Sequence, residues 1–172
     1  MVRENKGQEV TRQADSSCDR TMSGPQSASE CWHSIILRGL NSATYKMALA
    51  RCLAESVEQG RSRVSWDELA GAFLDLYIDR LENGMPQLSD PYAETVMGGI
   101  VRRYNKHELT RAEAIRQVKS RAFRDVVPSF HMVDGREVPV RFYTVDDNGL
   151  SLTEDARRVM TREGELHTAR GS

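Results

Sequence analysis

Between positions 102 and 124 lie Arg102, Arg103, Lys106, Arg111, Arg116, Lys119, Arg121 and Arg124, opposed in that window only by Glu108 and Glu113. Eight cations against two carboxylates give a local charge of +6 in a chain whose net charge is -1. Such a stretch can attract phosphates and release their counterions, whereas the molecule as a whole has no field that favours nucleic acid. The competing reading is a solvated helix surface, because the charges fan around a helix and form no single stripe. Only Tyr104 and Phe123 lie near them, so the aromatic interleaving that stacks single-stranded bases is lacking.

Other chemistry has weaker support. The four histidines, His33, His107, His131 and His167, fall in separate segments. His107-Glu108 lacks the second histidine of HExxH, and no Asp, Glu or His pair has metal-ligand spacing on one helix face, so no metal is expected. No GxSxG occurs. Phe130-His131-Met132 places one histidine where a half-buried strand residue with a backbone partner is expected; a catalytic base is the alternative. Gly98-Gly99 has no GxxxxGK[ST] around it and suits close helix packing better than phosphate binding. No catalytic residue and no cofactor are expected. Cys18, Cys31 and Cys52 form no CxxC and are odd in number, which suggests free thiols in a reducing cytosol. The N-terminus has no apolar signal-peptide core, and apolar runs such as Ile35-Ile36-Leu37 are far too short to span a bilayer, so no membrane partner is expected.

The elements that must hold these residues are mostly helices. Residues 1–29 are polar and predict a disordered tail, with a partner-binding arm as the alternative. Residues 30–160 predict one mainly α domain of about five helices with a small C-terminal β-hairpin, and residues 161–172 a flexible tail. The first helix starts near Ser29 with Trp32, Ile35, Ile36 and Leu40 as its stripe. The second follows Asn41 or Ser42, buries Tyr45, Leu49, Cys52, Leu53 and Val57, and ends at Gly60. Ser65 and Glu68 form a capping box for the third, with Val64 and Leu69 as a staple and Leu69, Phe73, Leu76, Tyr77 and Leu81 along one face. Gly84 and Pro86 stop it, and a fourth starts at Asp90-Pro91, with Tyr92, Val96 and Ile100 at intervals of four. Thr110 and Glu113 cap the fifth, with Leu109 as its staple and Ile115, Val118 and Ala122 as a narrow apolar face. After Pro128 the period shortens towards 2, and SFHMV, Asp134-Gly135 and REVPVRFYTV predict a hairpin whose second strand carries Pro139 and so lies at an edge. Asp147-Asn148-Gly149 gives another turn, and Thr153 caps a short helix, EDARRVM.

Three segments together resemble the region that precedes the catalytic module in a family of bacterial HNH endonucleases. The first runs from Trp32 through Gly39-Leu40-Asn41-Ser42-Ala43-Thr44-Tyr45-Lys46 to Ala50. The second is Val64-Ser65-Trp66-Asp67-Glu68-Leu69-Ala70, and the third is Asp125 to Val133 followed by Val138-Pro139-Val140-Arg141-Phe142-Tyr143. The likeness covers roughly residues 30 to 155 in order, and its Gly-x-Asn-x-Ala-Thr-Tyr-Lys stretch is the most specific part. In the family a further helical stretch and then the HNH module follow, with a histidine general base and a divalent-metal site. None of those residues has a counterpart here. The resemblance implies a non-catalytic N-terminal module of a restriction or phage-defence type of endonuclease, inactive alone. Its partners would be DNA or a separate HNH-bearing chain. A helical protein-interaction module with no nucleic-acid role is the alternative. Lys46, the one charged residue of the core motif, joins Arg102, Arg103, Lys106, Arg116, Lys119, Arg121 and Arg124 as a candidate phosphate contact; a solvated or internally paired lysine is the rival reading.

Overall fold

The computed structural model describes residues 26–38, 43–84 and 95–169. Within them lie α1 (Ala28–Arg38), α2 (Ala43–Glu58), β1 (Arg63–Ser65), α3 (Trp66–Glu82) and α4 (Val96–Asn105). Then follow α5 (Arg111–Gln117), a π-helical turn (Val118–Ala122), α6 (Phe123–Ser129), β2 (Met132–Val133), β3 (Arg136–Glu137), β4 (Tyr143–Asp146), β5 (Gly149–Leu152) and α7 (Glu154–Ala169). The π turn joins α5 and α6 without a break, so the described residues form six helical rods, one more than the periodicity predicts. The expected tail up to residue 25, the Gly39–Asn41 turn, and the Pro86 and Asp90-Pro91 signals lie outside the described residues.

Local capping chemistry sets most helix starts. Ser27 and Glu30 exchange hydrogen bonds at the head of α1, slightly before the expected start. Ser65 Oγ accepts from the Glu68 N–H, and the Glu68 carboxylate accepts from the Ser65 N–H at 2.9 Å. Thr110 and Glu113 repeat the arrangement at α5. Gly60 adopts φ +72° after α2, where the helix closes with bonds from the Gly60 and Arg61 N–H groups to the Val57 and Ser56 carbonyls.

The core is aromatic and joins both ends of the chain. Phe73 packs edge-on against Phe123 at 5.4 Å and lies 5.2 Å from Tyr77. Trp32 packs edge-on against Phe142 at 5.1 Å, which fixes α1 to the β region. The buried face of α3 is Leu69, Ala70, Phe73, Leu74 and Tyr77, whereas Leu76 is half-buried and Leu81 is exposed where the helix outruns the core.

The β structure differs from the single expected hairpin. Asp134 (φ +49°) and Gly135 (φ +75°) do make the tight turn, but the ladder they close holds only two residue pairs. The chain then leaves that ladder, and Tyr143–Asp146 pairs with Gly149–Leu152 around the Asp147-Asn148 turn. β1, unforeseen because it is only three residues long, pairs antiparallel with β5 to give the order β1-β5-β4. Pro128 does not end the helix, which continues to Ser129. Thr153 Oγ accepts from the Ala156 N–H at 3.2 Å, as expected of a cap, but α7 runs on to Ala169 where a flexible tail was expected from residue 161.

Candidate functional site

α4 carries Arg102 and Arg103, with Lys106 as its C-cap, and two hydrogen bonds hold its start in place. Thr95 Oγ accepts from the Gly98 N–H at 2.9 Å, and the Tyr45 hydroxyl accepts from the Met97 N–H at 3.3 Å, so α2 clamps the start of α4. Met97, Gly98, Ile100 and Val101 are buried. The helix ends in a Schellman arrangement in which the Glu108 N–H bonds the Arg103 carbonyl and the His107 N–H bonds the Tyr104 carbonyl, both at 2.9 Å. His107 takes the left-handed position, with φ +58°. That turn swings the Glu108 carboxylate back to 3.6 Å from Arg103 Nε.

The π turn brings the next cations alongside. An extra residue per turn rotates the later part of the rod, so that Val118, Ala122, Phe123, Val126 and Val127 all reach the core. Arg121 thereby faces α4. Between the two rods lies a hollow of about 580 Å³, floored in part by Val96 and Gly99 and edged by Arg102, Arg103, Lys106 and Arg121. Gln117 Oε1 accepts from Arg103 Nη1 at 3.4 Å across the gap.

Arg111 and Lys119 are paired with α3 carboxylates that lie outside the 102–124 window, and Arg116 and Arg124 with carboxylates of their own helices. Arg111 makes a two-pronged pair with Asp75 at 2.7 and 2.8 Å, which holds its guanidinium even more firmly protonated than usual. Lys119 reaches Asp67 at 2.5 Å. Arg116 and Arg124 lie 3.9 and 3.8 Å from their helix neighbours Glu113 and Asp125. The signal that could have shown this is the spacing of Asp67, Gly71 and Asp75, one face of α3 with a glycine between two carboxylates, where α5 packs closely.

Lys46, a candidate phosphate contact by sequence, is an internally paired lysine, the rival reading of that residue. Only 6% of it is exposed, and its ammonium donates to the Met132 carbonyl at 2.5 Å, while burial lowers its pKa. It ties α2 to β2 and is not a surface phosphate contact.

His131 sits beside that tie and is fully buried, not half-buried. The Phe142 N–H donates to its Nε2 at 3.0 Å, and its ring stacks on Phe142 at an interplanar angle of 7°. Burial, then the charges of Arg141 and Lys46, push its pKa down to about 4, so the ring is neutral at pH 7. Nε2 is engaged and the ring is sealed from solvent, which leaves no route for proton exchange with a substrate. Cys31 and Cys52 are buried free thiols, and burial raises Cys52 to about 12.

A second hollow of about 700 Å³ has apolar walls from Trp66, Phe123, Val127, Pro128 and Val145 and lies at the edge strand β4. Among the described residues, no helix is long and apolar enough to cross a membrane. Comparison of the chain with protein-family models, with curated proteins and with solved structures returned no match.

Proposed function

We propose that this chain is a non-catalytic module that holds DNA for cleavage carried out elsewhere, by an HNH module on another segment or another chain. The observation that carries the reading is the rim of Arg102, Arg103, Lys106 and Arg121 around one hollow. Among the described residues that line it, Glu108 is the one carboxylate. The resemblance of three segments to the N-terminal region of HNH endonucleases supports it and suggests a restriction or phage-defence setting in the cytosol. Among the described residues Lys106 and Arg121 of the rim have no ion-pair partner, whereas Arg111, Arg116, Lys119 and Arg124 each have one. Surface ion pairs are weak, so these four remain available as secondary contacts.

Fluorescence anisotropy of a labelled duplex across a salt series is the test. Each phosphate neutralised should contribute a slope of about 0.9 in log K against log salt. The full rim therefore predicts a slope of roughly two to four. Absence of binding at low salt would overturn the reading. The apolar hollow at Trp66, Phe123 and Val145 favours a second reading, a protein-interaction module, which takes precedence in that event.

A further inference from the structure

We infer that the hollow between α4 and the π turn is a discrete phosphate site that prefers a phosphomonoester, such as a nucleotide or the phosphorylated end of a strand, over the diesters of a continuous backbone. This rests on the reading above that the rim contacts phosphate, and it names which phosphate.

Three features point that way. The space is concave and about 580 Å³, within the size range of small-ligand sites, whereas duplex phosphates are presented on a convex surface. Gly99 lines it without a side chain, so a ligand can approach the α4 backbone closely. The charge also fits. Among the described residues of the rim, Lys106 and Arg121 stand beside Arg103, and the one carboxylate, Glu108, is engaged by Arg103. Among the described residues, Lys106 and Arg121 have no ion-pair partner, in contrast to Arg111, Arg116, Lys119 and Arg124. A phosphomonoester carries about -1.5 to -2 charges at pH 7 and three acceptor oxygens, which two free cations and a shared arginine can meet; a diester brings one charge and two free oxygens. Among the described residues that line the hollow, none is aromatic.

The test uses the full chain with two single-stranded oligonucleotides of one sequence, one 5′-phosphorylated and one 5′-hydroxyl, and with inorganic pyrophosphate as competitor. The phosphorylated strand should bind about tenfold more tightly, and pyrophosphate should remove that advantage. Arg121→Gln and Lys106→Gln should each abolish most of the difference, while Arg51→Gln, a charge-matched change on α2, should leave it. Circular dichroism melts establish that each variant is folded. Equal binding of the two oligonucleotides by the wild type overturns the phosphomonoester site; if both then bind with a salt-dependent slope, the module reading stands alone. Pyrophosphate binding that Arg121→Gln removes, with no binding of any oligonucleotide or duplex, keeps the phosphate site and sinks the module reading. A preference for the phosphorylated strand that survives both rim variants places the contact elsewhere and also overturns the proposal.

Discussion

Protonating His131 is a perturbation whose cost can be worked from its surroundings. The ring is sealed under Phe142 and Tyr143, its Nε2 lone pair is used by the Phe142 N–H, and the cations Arg141 and Lys46 face it. A proton on Nε2 would break that bond and add a third positive charge. The folded pKa is depressed from an ordinary 6.5 to about 4. The unfolded chain therefore binds the proton first as pH falls, and stability must rise with pH across that window. The contribution is fully present above the unfolded pKa and is lost progressively as pH falls through the folded one. At 1.36 kcal/mol per unit, the loss is roughly 2 kcal/mol by pH 5 and about 3 kcal/mol once both states are protonated. Urea melts of wild type and His131→Gln at several values between about pH 7.5 and pH 5 give the difference directly, because other groups largely cancel. Glutamine is chosen because its side-chain oxygen can still accept from Phe142. The variant is expected to start less stable and to lose much less on acidification. If the two stability curves run parallel over that range, His131 is not held neutral in the core and the account of the α6–β4 connection is wrong.

Four further outcomes follow from the packing and the caps. Phe73→Ala removes a ring fully enclosed by Tyr45, Tyr77 and Phe123, and should cost about 3–5 kcal/mol in a urea melt. Ser65→Ala deletes one half of the α3 capping box and should cost about 1 kcal/mol by the same measurement. A Cβ at Gly149 would lie 2.1 Å from the Val64 carbonyl oxygen, so Gly149→Ala should destabilise by roughly 3 kcal/mol or more and lower the thermal midpoint sharply. The purified chain should not nick plasmid with Mg²⁺, Mn²⁺ or Zn²⁺; metal-dependent nicking that follows the folded protein and disappears in a point mutant would contradict the non-catalytic assignment.

What the sequence determined by itself is what local chemistry dictates. Ser65 with Glu68 and Thr110 with Glu113 mark helix starts because each side chain satisfies a backbone group three residues away, whatever the rest of the chain does. Gly60 and Asp134-Gly135 mark turns because few residues tolerate positive φ. The aromatic positions Trp32, Phe73 and Tyr77 were legible as core from their spacing. Tertiary structure decided the rest. β1 is too short to carry a period and exists because β5 lies beside it. The π turn follows from the need to bury Val118, Ala122 and Phe123 on one rod, a demand set by the partners of that rod. By sequence Lys46 stood open between a phosphate contact and a solvated or internally paired lysine, and only folding places the Met132 carbonyl within reach of its ammonium. The basic stretch was visible as charge, yet the pairing of Arg111 with Asp75 and of Lys119 with Asp67 depends on α3, which lies beside it only in the fold. Coulomb and hydrogen-bond energies depend on distance in space, and separation along the chain carries that information only within a turn or two of a helix.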